Sequence, residues 1–125
     1  MTHAIRIQQY GGPEVLEWVE VEVGEPQAGQ ARVEHTAVGL NFIDVYYRTG
    51  LYPVPLPSGI GSEAAGVVTA VGEGVTHIAV GDRVAYSNPP PIQAYSEACV
   101  MDARWLVKLP DEISDEAAAS MMLKG

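Results

Sequence analysis

The stretch AGVVTAVGEG, Ala65 to Gly74, is nearly apolar on both faces from Ala65 to Val71 and rich in β-branched residues, and it ends in the turn signal VGEG. An apolar run this short, closed by glycines, reads as a β-strand. Working outward, VGDRVAY (Val80 to Tyr86) couples a Gly-Asp turn to a following strand. Upstream, Gln30 to Leu40 alternates, with Ala31, Val33 and Ala37 opposite Arg32, Glu34 and Thr36. Tyr95 to Val100 and Trp105 to Leu109 continue the series, and Ile5 with Ile7 marks a short first strand. Val15 to Val23 changes phase: Leu16 and Trp18 fall on one side, Val19, Val21 and Val23 on the other. A slip of one residue swaps the faces of a strand, so a bulge or irregular turn is predicted near Trp18. Short strands at regular spacing, punctuated by thirteen Gly and nine Pro, predict a β-barrel or sandwich rather than a parallel α/β sheet.

Two helical pieces interrupt the strands. Asn41 to Arg48 opens on an N-cap type, has Asp44 three residues later and meets Gly50 as its stop. A second helix is predicted from Ser114, with Asp115 and Glu116 complementing the dipole of its first turn. It runs through AAASMMLKG, and its apolar face needs a surface to pack on, from which the sequence is expected to continue in a longer protein. Pro89 to Pro91 reads as a stiff loop.

The 125 residues suit one domain, 1–125, and their apolar content is that of a globular chain. Sixteen acidic against seven basic residues give a formal charge of −9, which repels a polyanion and argues against nucleic acid as a partner. Cys99 is the one cysteine, so no intrachain disulfide forms, and its neighbours Ala98 and Val100 suggest a small core residue. MTHAIRIQQY lacks the apolar core of a signal peptide and no stretch reaches membrane-spanning length, so a cytoplasmic protein with no membrane partner is expected.

Three segments, in this order and spacing, resemble the medium-chain dehydrogenase/reductase superfamily: GLNFIDVYYRTGLYP (Gly39 to Pro53), GSEAAGVVTAVGEGV (Gly61 to Val75) and GDRVAY (Gly81 to Tyr86). GGPEVL near the start and AYSE (Ala94 to Glu97) extend the likeness over almost the whole chain. NFID followed by YYRTGLYP is similar to the NADPH:quinone oxidoreductase group that includes zeta-crystallin. The resemblance implies a mainly β fold with short helices, a GroES-like partly open β-barrel. It also implies NADPH as cofactor, a small-molecule quinone as substrate and a homodimer for the full-length protein. Asn41, Phe42, Ile43 and Asp44 would lie along the nicotinamide end of NADPH, and Tyr46 and Tyr52 would face the substrate as the catalytic pair. Tyrosine ionises near about 10 when unperturbed, so such phenols can donate a hydrogen bond to a developing oxyanion at neutral pH. Asn41 with Asp44 is also a plain helix start, and of Tyr46 and Tyr47, about 100° apart on a helix, one is expected to pack and the other to face a cleft.

Zinc-dependent members of the superfamily carry Cys where this chain has Asn41 and His where it has Ser62. Catalytic zinc takes three protein ligands, usually from Cys, His, Asp and Glu, and an amide and a hydroxyl are poor replacements, so no metal site is expected. Glu63 is then expected to be a buried structural carboxylate, and Lys124 a surface residue. No G-x-G-x-x-G occurs; by resemblance, the Rossmann cofactor domain and a C-terminal return segment lie outside 1–125. Two other readings remain: an enone or enoyl-thioester reductase on the same scaffold, and a non-catalytic GroES-like binding or structural module.

Overall fold

The computed structural model describes residues 2–87, 89 and 92–121. Pro90, Pro91 and Lys124 lie outside the described residues. The chain forms β1 (Thr2–Ile7), β2 (Glu17–Val21), β3 (Gln30–Gly39), α1 (Phe42–Thr49), β4 (Ser58–Gly59), β5 (Glu63–Val71), β6 (Arg83–Ser87), β7 (Ala98–Asp102), β8 (Val107–Lys108) and α2 (Asp115–Met121). Short 3₁₀ turns at Pro13–Val15 and Ala103–Trp105 precede β2 and β8. Trp105, predicted to open the last strand, therefore sits in a turn.

All pairings are antiparallel. One sheet runs β2-β1-β4 and the other β7-β3-β5-β6-β8. They are stitched by a bridge between Ala4 and Ser96 and by backbone bonds from Ile5 N to Tyr95 O (2.7 Å) and from Glu97 N to His3 O (2.9 Å). The two sheets do not close on one another, which gives the predicted partly open barrel. β5 lies between β3 and β6, and both of its faces are covered. Ala64 and Val68 enter the main core with Val33, Val84, Tyr86 and Leu106, while Ala65 enters a second cluster under α2. That two-sided burial is why Ala65–Val71 reads as apolar throughout.

The phase change at Trp18 is not a bulge. β2 pairs with β1 in unbroken register from Thr2↔Val21 to Arg6↔Glu17. Leu16 belongs to the turn before the strand and packs beside Ile7, Val15 and Ile60. Trp18 is 59% exposed and stacks on the His3 ring at 5.1 Å with planes 7° apart. An amphipathic ring can cover a neighbouring ring at the surface, so its apolar character is no guide to the core face. The irregularities fall instead in β3, where its register against β5 shifts between Arg32 and Val33 and between His35 and Ala37. Such shifts bend a strand, and here they sit in the longest one.

α2 starts as predicted: Ser114 Oγ accepts from the Ala117 N–H at 3.1 Å. Asp115 pins it to the barrel, accepting from Thr36 Oγ1 (2.6 Å) and pairing with Arg83 Nη2 (2.6 Å). Ala118 and Ala119 are buried against Ala65 and Ala85. These two alanines therefore pack on the barrel itself, which supplies a surface for this part of the helix. The close approach depends on Gly39, where a Cβ would lie 2.5 Å from the Ala119 carbonyl oxygen and 2.6 Å from Glu63 Cγ.

Candidate active site

The start of α1 is built around two carboxylates. Asn41 has extended backbone (φ −136°, ψ 154°), which turns the chain from β3 into the helix. Its N–H donates to Asp44 Oδ2 at 3.1 Å, the reach-back of a helix N-terminus. Asp44 is 4% exposed and takes two more donors, Tyr95 OH on Oδ2 (2.6 Å) and Ser62 Oγ on Oδ1 (3.3 Å). Burial, and then the hydrogen bond to the Asp44 carboxylate, hold the Tyr95 phenol well above the ordinary tyrosine range, so it stays a donor. Glu63, 1% exposed, accepts from Asn41 Nδ2 at 2.9 Å. Glu63 is therefore the buried carboxylate expected, and it fixes which way the Asn41 amide points.

Because Asp44 faces inward, the residues on the opposite side of α1 face out. Phe42 and Leu40 are each 82% exposed, and Val45, Tyr46, Leu51 and Tyr52 are exposed beside them. Gly50 ends the helix in the left-handed region at φ 88°, folding Tyr52 back so that its N–H donates to Tyr46 O at 3.2 Å. The Tyr46 and Tyr52 rings meet edge to face at 5.3 Å, and Tyr47 lies 6.1 Å from Tyr52. Tyr47 packs on the small cluster of Ile7, Val15 and Ile60, so of the two neighbours it is Tyr46 that faces out, as the helical angle requires. A cavity of about 410 Å³ opens at the helix start, lined by Asn41, Phe42, Asp44, Val45, Arg48 and Tyr95 together with Leu16, Leu40 and Ile60.

Of the residues singled out in the sequence, Asn41, Phe42 and Asp44 line this cavity. Ile43 is half-buried and does not, and the Tyr46–Tyr52 pair sits outside it, Tyr46 on α1 and Tyr52 on the loop that follows. Asp44 differs in kind from the others: its carboxylate is committed to three donors of the chain itself. Tyr95 was not visible as a site residue, since AYSE reads only as the opening of a strand. The one available signal is a tyrosine beside Ser96 at a break between strands.

A second polar group lies in the main core. His35 Nδ1 donates to the Ser96 carbonyl (2.7 Å), which leaves Nε2 to accept from Tyr86 OH (2.8 Å), with Cys99 Sγ at 3.6 Å. Burial lowers the His35 pKa and raises the Cys99 thiol to about 11. A neutral imidazole and an un-ionised thiol make this a packed hydrogen-bonded cluster, not a nucleophile.

Residues 27–111 match the alcohol dehydrogenase GroES-like domain. The chain belongs to that family. Among relatives in this GroES-like family, the quinone oxidoreductase of Pseudomonas aeruginosa is 56% identical over 126 residues, covering 100% of this chain and 38% of that protein. The 2-haloacrylate reductase of a Burkholderia species is 44% identical, covering 100% of this chain and 39% of its own length. The crystal structure of Escherichia coli quinone oxidoreductase complexed with NADPH superposes with a TM-score of 0.94 at 48% identity, over 99% of this chain and 38% of that one. The chain thus spans less than two-fifths of the length of these relatives. The GroES-like fold and the likeness to quinone oxidoreductases read from the sequence both stand.

Proposed function

We propose that this chain supplies one wall of the active site of an NADPH-dependent quinone oxidoreductase that works without zinc. The observation that carries the reading is the start of α1, where a buried hydrogen-bonded network holds an exposed apolar and phenolic face in place. The similarity to quinone oxidoreductases, one of them described as complexed with NADPH, supports the choice of cofactor and substrate.

The residues present fit the nicotinamide end of such a cofactor. Phe42 and Leu40 offer an uncovered apolar wall, and Asn41 is held by Glu63 at its rim. No glycine-rich phosphate cradle occurs in the sequence, so we assign the phosphates to a Rossmann domain outside residues 1–125. NADPH, when bound, supplies the hydride. Asn41 and Phe42 orient the ring, Ile43 continues the same segment half-buried, and Asp44 positions Asn41 through its backbone N–H. Tyr46 and Tyr52 offer phenolic O–H groups to the quinone oxygen that gains negative charge as it is reduced. Donors aimed at a developing oxyanion are worth about 3–4 kcal/mol of barrier each in well-studied sites.

The zinc-free part rests on donor chemistry. At Asn41 and Ser62 the amide and hydroxyl are already donating, to Glu63 and Asp44, and neither offers a thiolate or imidazole to a metal. No helix among the described residues is long and apolar enough to cross a membrane. We place the full-length protein in the cytoplasm as a homodimer.

A second reading, reduction of an activated C=C bond, is favoured by the 44% identity to a 2-haloacrylate reductase. Arg48 on the cavity wall could pair with a substrate carboxylate, although the net charge of −9 works against anions. The test is NADPH oxidation by the full-length protein with 1,4-benzoquinone and with 2-chloroacrylate. Quinone turnover that falls at least tenfold in Tyr52→Phe supports the proposal. Turnover of the haloacrylate alone would transfer the site to the second reading.

A further inference from the structure

We propose that Tyr10 is a positioning residue of this site, a clamp that sets Tyr52 by holding the loop that carries it; the proposal rests on the function assigned above. The loop after α1 reads LYPVPLP, residues 51–57, and three of its last five residues are prolines. Proline has no N–H, so this loop has few donors with which to fix itself. The Tyr10 hydroxyl supplies what the backbone lacks. It donates to the Val54 carbonyl at 2.7 Å and accepts from the Val54 N–H at 3.0 Å, using both halves of its hydrogen-bonding capacity on one residue.

The Tyr10 ring is itself held. It lies against Gly50, where a Cβ would come within 2.9 Å of Tyr10 Cγ, so the glycine that ends α1 also makes room for the clamp. The next residue, Gly11, is tied to the last turn of the helix: its N–H donates to Arg48 O (3.0 Å) and its carbonyl accepts from Arg48 Nε (3.2 Å). The segment Tyr10–Gly11 therefore grips the chain at Arg48 and again at Val54, and Tyr52 lies between the two grips. Within that span Tyr52 has its backbone bond to Tyr46 and its ring contacts with Tyr46 and Tyr47. Releasing Val54 frees the far end of the span and leaves a residue that is 47% exposed held only by its contacts with Tyr46 and Tyr47. A misplacement on the scale of about 1 Å can cost a hundredfold in rate. Tyr10 touches neither partner of the reaction in this scheme and acts only through Tyr52.

The experiment uses the full-length protein and four forms of it: parent, Tyr10→Phe, Tyr52→Phe and the double variant. Tyr10→Phe keeps the ring against Gly50 and removes only the hydroxyl. It is expected to lower kcat with quinone by about tenfold to a hundredfold, to leave the NADPH Kd within about twofold, and to speed hydrogen exchange at the Val54 and Tyr52 amides. In the Tyr52→Phe background the same change is expected to cost no further kcat, because the group it positions is gone. An equal loss in both backgrounds, or unchanged Val54 exchange, would overturn the assignment of Tyr10 while leaving the quinone activity standing. A parent without quinone turnover sinks the activity itself, and with it the role of Tyr10 in it.

Discussion

Asp44 is the residue on which the site's geometry turns, and its two substitutions separate charge from connectivity. In Asp44→Ala, the Asn41 N–H and the Tyr95 hydroxyl, which now converge on Oδ2 at 3.1 and 2.6 Å, lose their acceptor in a place that is almost fully buried. A buried donor left unmade costs about 1–3 kcal/mol, and the vacated side-chain volume adds to that, for a total of about 3–5 kcal/mol. Asp44→Asn behaves differently. If the amide oxygen occupies the Oδ2 position, both donors keep an acceptor, and the new NH₂ faces Ser62 Oγ, which can rotate from donor to acceptor. What is lost is charge assistance, about 1–2 kcal/mol. For a chain of this size about 4 °C of melting temperature corresponds to each kcal/mol. Asp44→Ala is therefore expected to melt about 12–20 °C below the parent, and Asp44→Asn about 4–8 °C below. Thermal unfolding by circular dichroism, with urea titrations for the free energies, measures both. Equal losses in the two variants would refute the reasoning, since they would mean that the charge, not the arrangement of donors, holds the helix start.

The His35 cluster predicts a pH dependence. Burial depresses the folded-state pKa below the ordinary histidine value, so the unfolded chain binds the extra proton first. Stability is full above about pH 6.5 and declines as pH falls from there toward the folded pKa; His35→Gln should flatten that slope in urea titrations from pH 7.5 to 5. Gly39→Ala is expected to cost more than about 2 kcal/mol and to detach α2, because the new Cβ meets the backbone oxygen of Ala119, which cannot rotate away; loss of helical circular dichroism at an otherwise folded barrel would report it. With its thiol pushed up to about 11 and buried, Cys99 should resist iodoacetamide at pH 8 and react only as fast as the chain opens, which mass spectrometry with and without urea can follow.

The barrel was legible because its signals are local. Ala65–Val71 announces two-sided burial by its composition, and the turns at Gly72–Gly74 and Gly81–Asp82 mark where strands must reverse. The helix at Asn41 was legible for the same reason, since Asn41, Asp44 and Gly50 lie within ten residues of one another. Trp18 misled because a large ring satisfied by a neighbouring ring at the surface looks, in one dimension, like a core residue out of phase. The bulges of β3 were invisible because they are set by how a ten-residue strand wraps two partners, β5 and β7, and nothing within β3 records that curvature.

The site was legible only in its local half, and the missing half explains why. Asn41 and Asp44 share a helix turn, so their relation can be read along the chain. Tyr95 reaches Asp44 from 51 residues away, and it does so because Ala4 and Ser96 bridge the two sheets and carry the Tyr95 segment over the start of α1. Ser62 and Glu63 likewise arrive through the pairing of β5 with β3, where Glu63 stands opposite Gly39, two residues before Asn41. The register that places Glu63 there therefore also decides which way Asn41 presents its amide. A one-residue slip of β5 against β3 would turn Glu63 to the other face of the sheet and leave Asn41 without its acceptor. The candidate site is thus a consequence of barrel register as much as of the NFID motif, and a change far from it that shifts β3 against β5 should release Asn41 while leaving every residue of that motif in place.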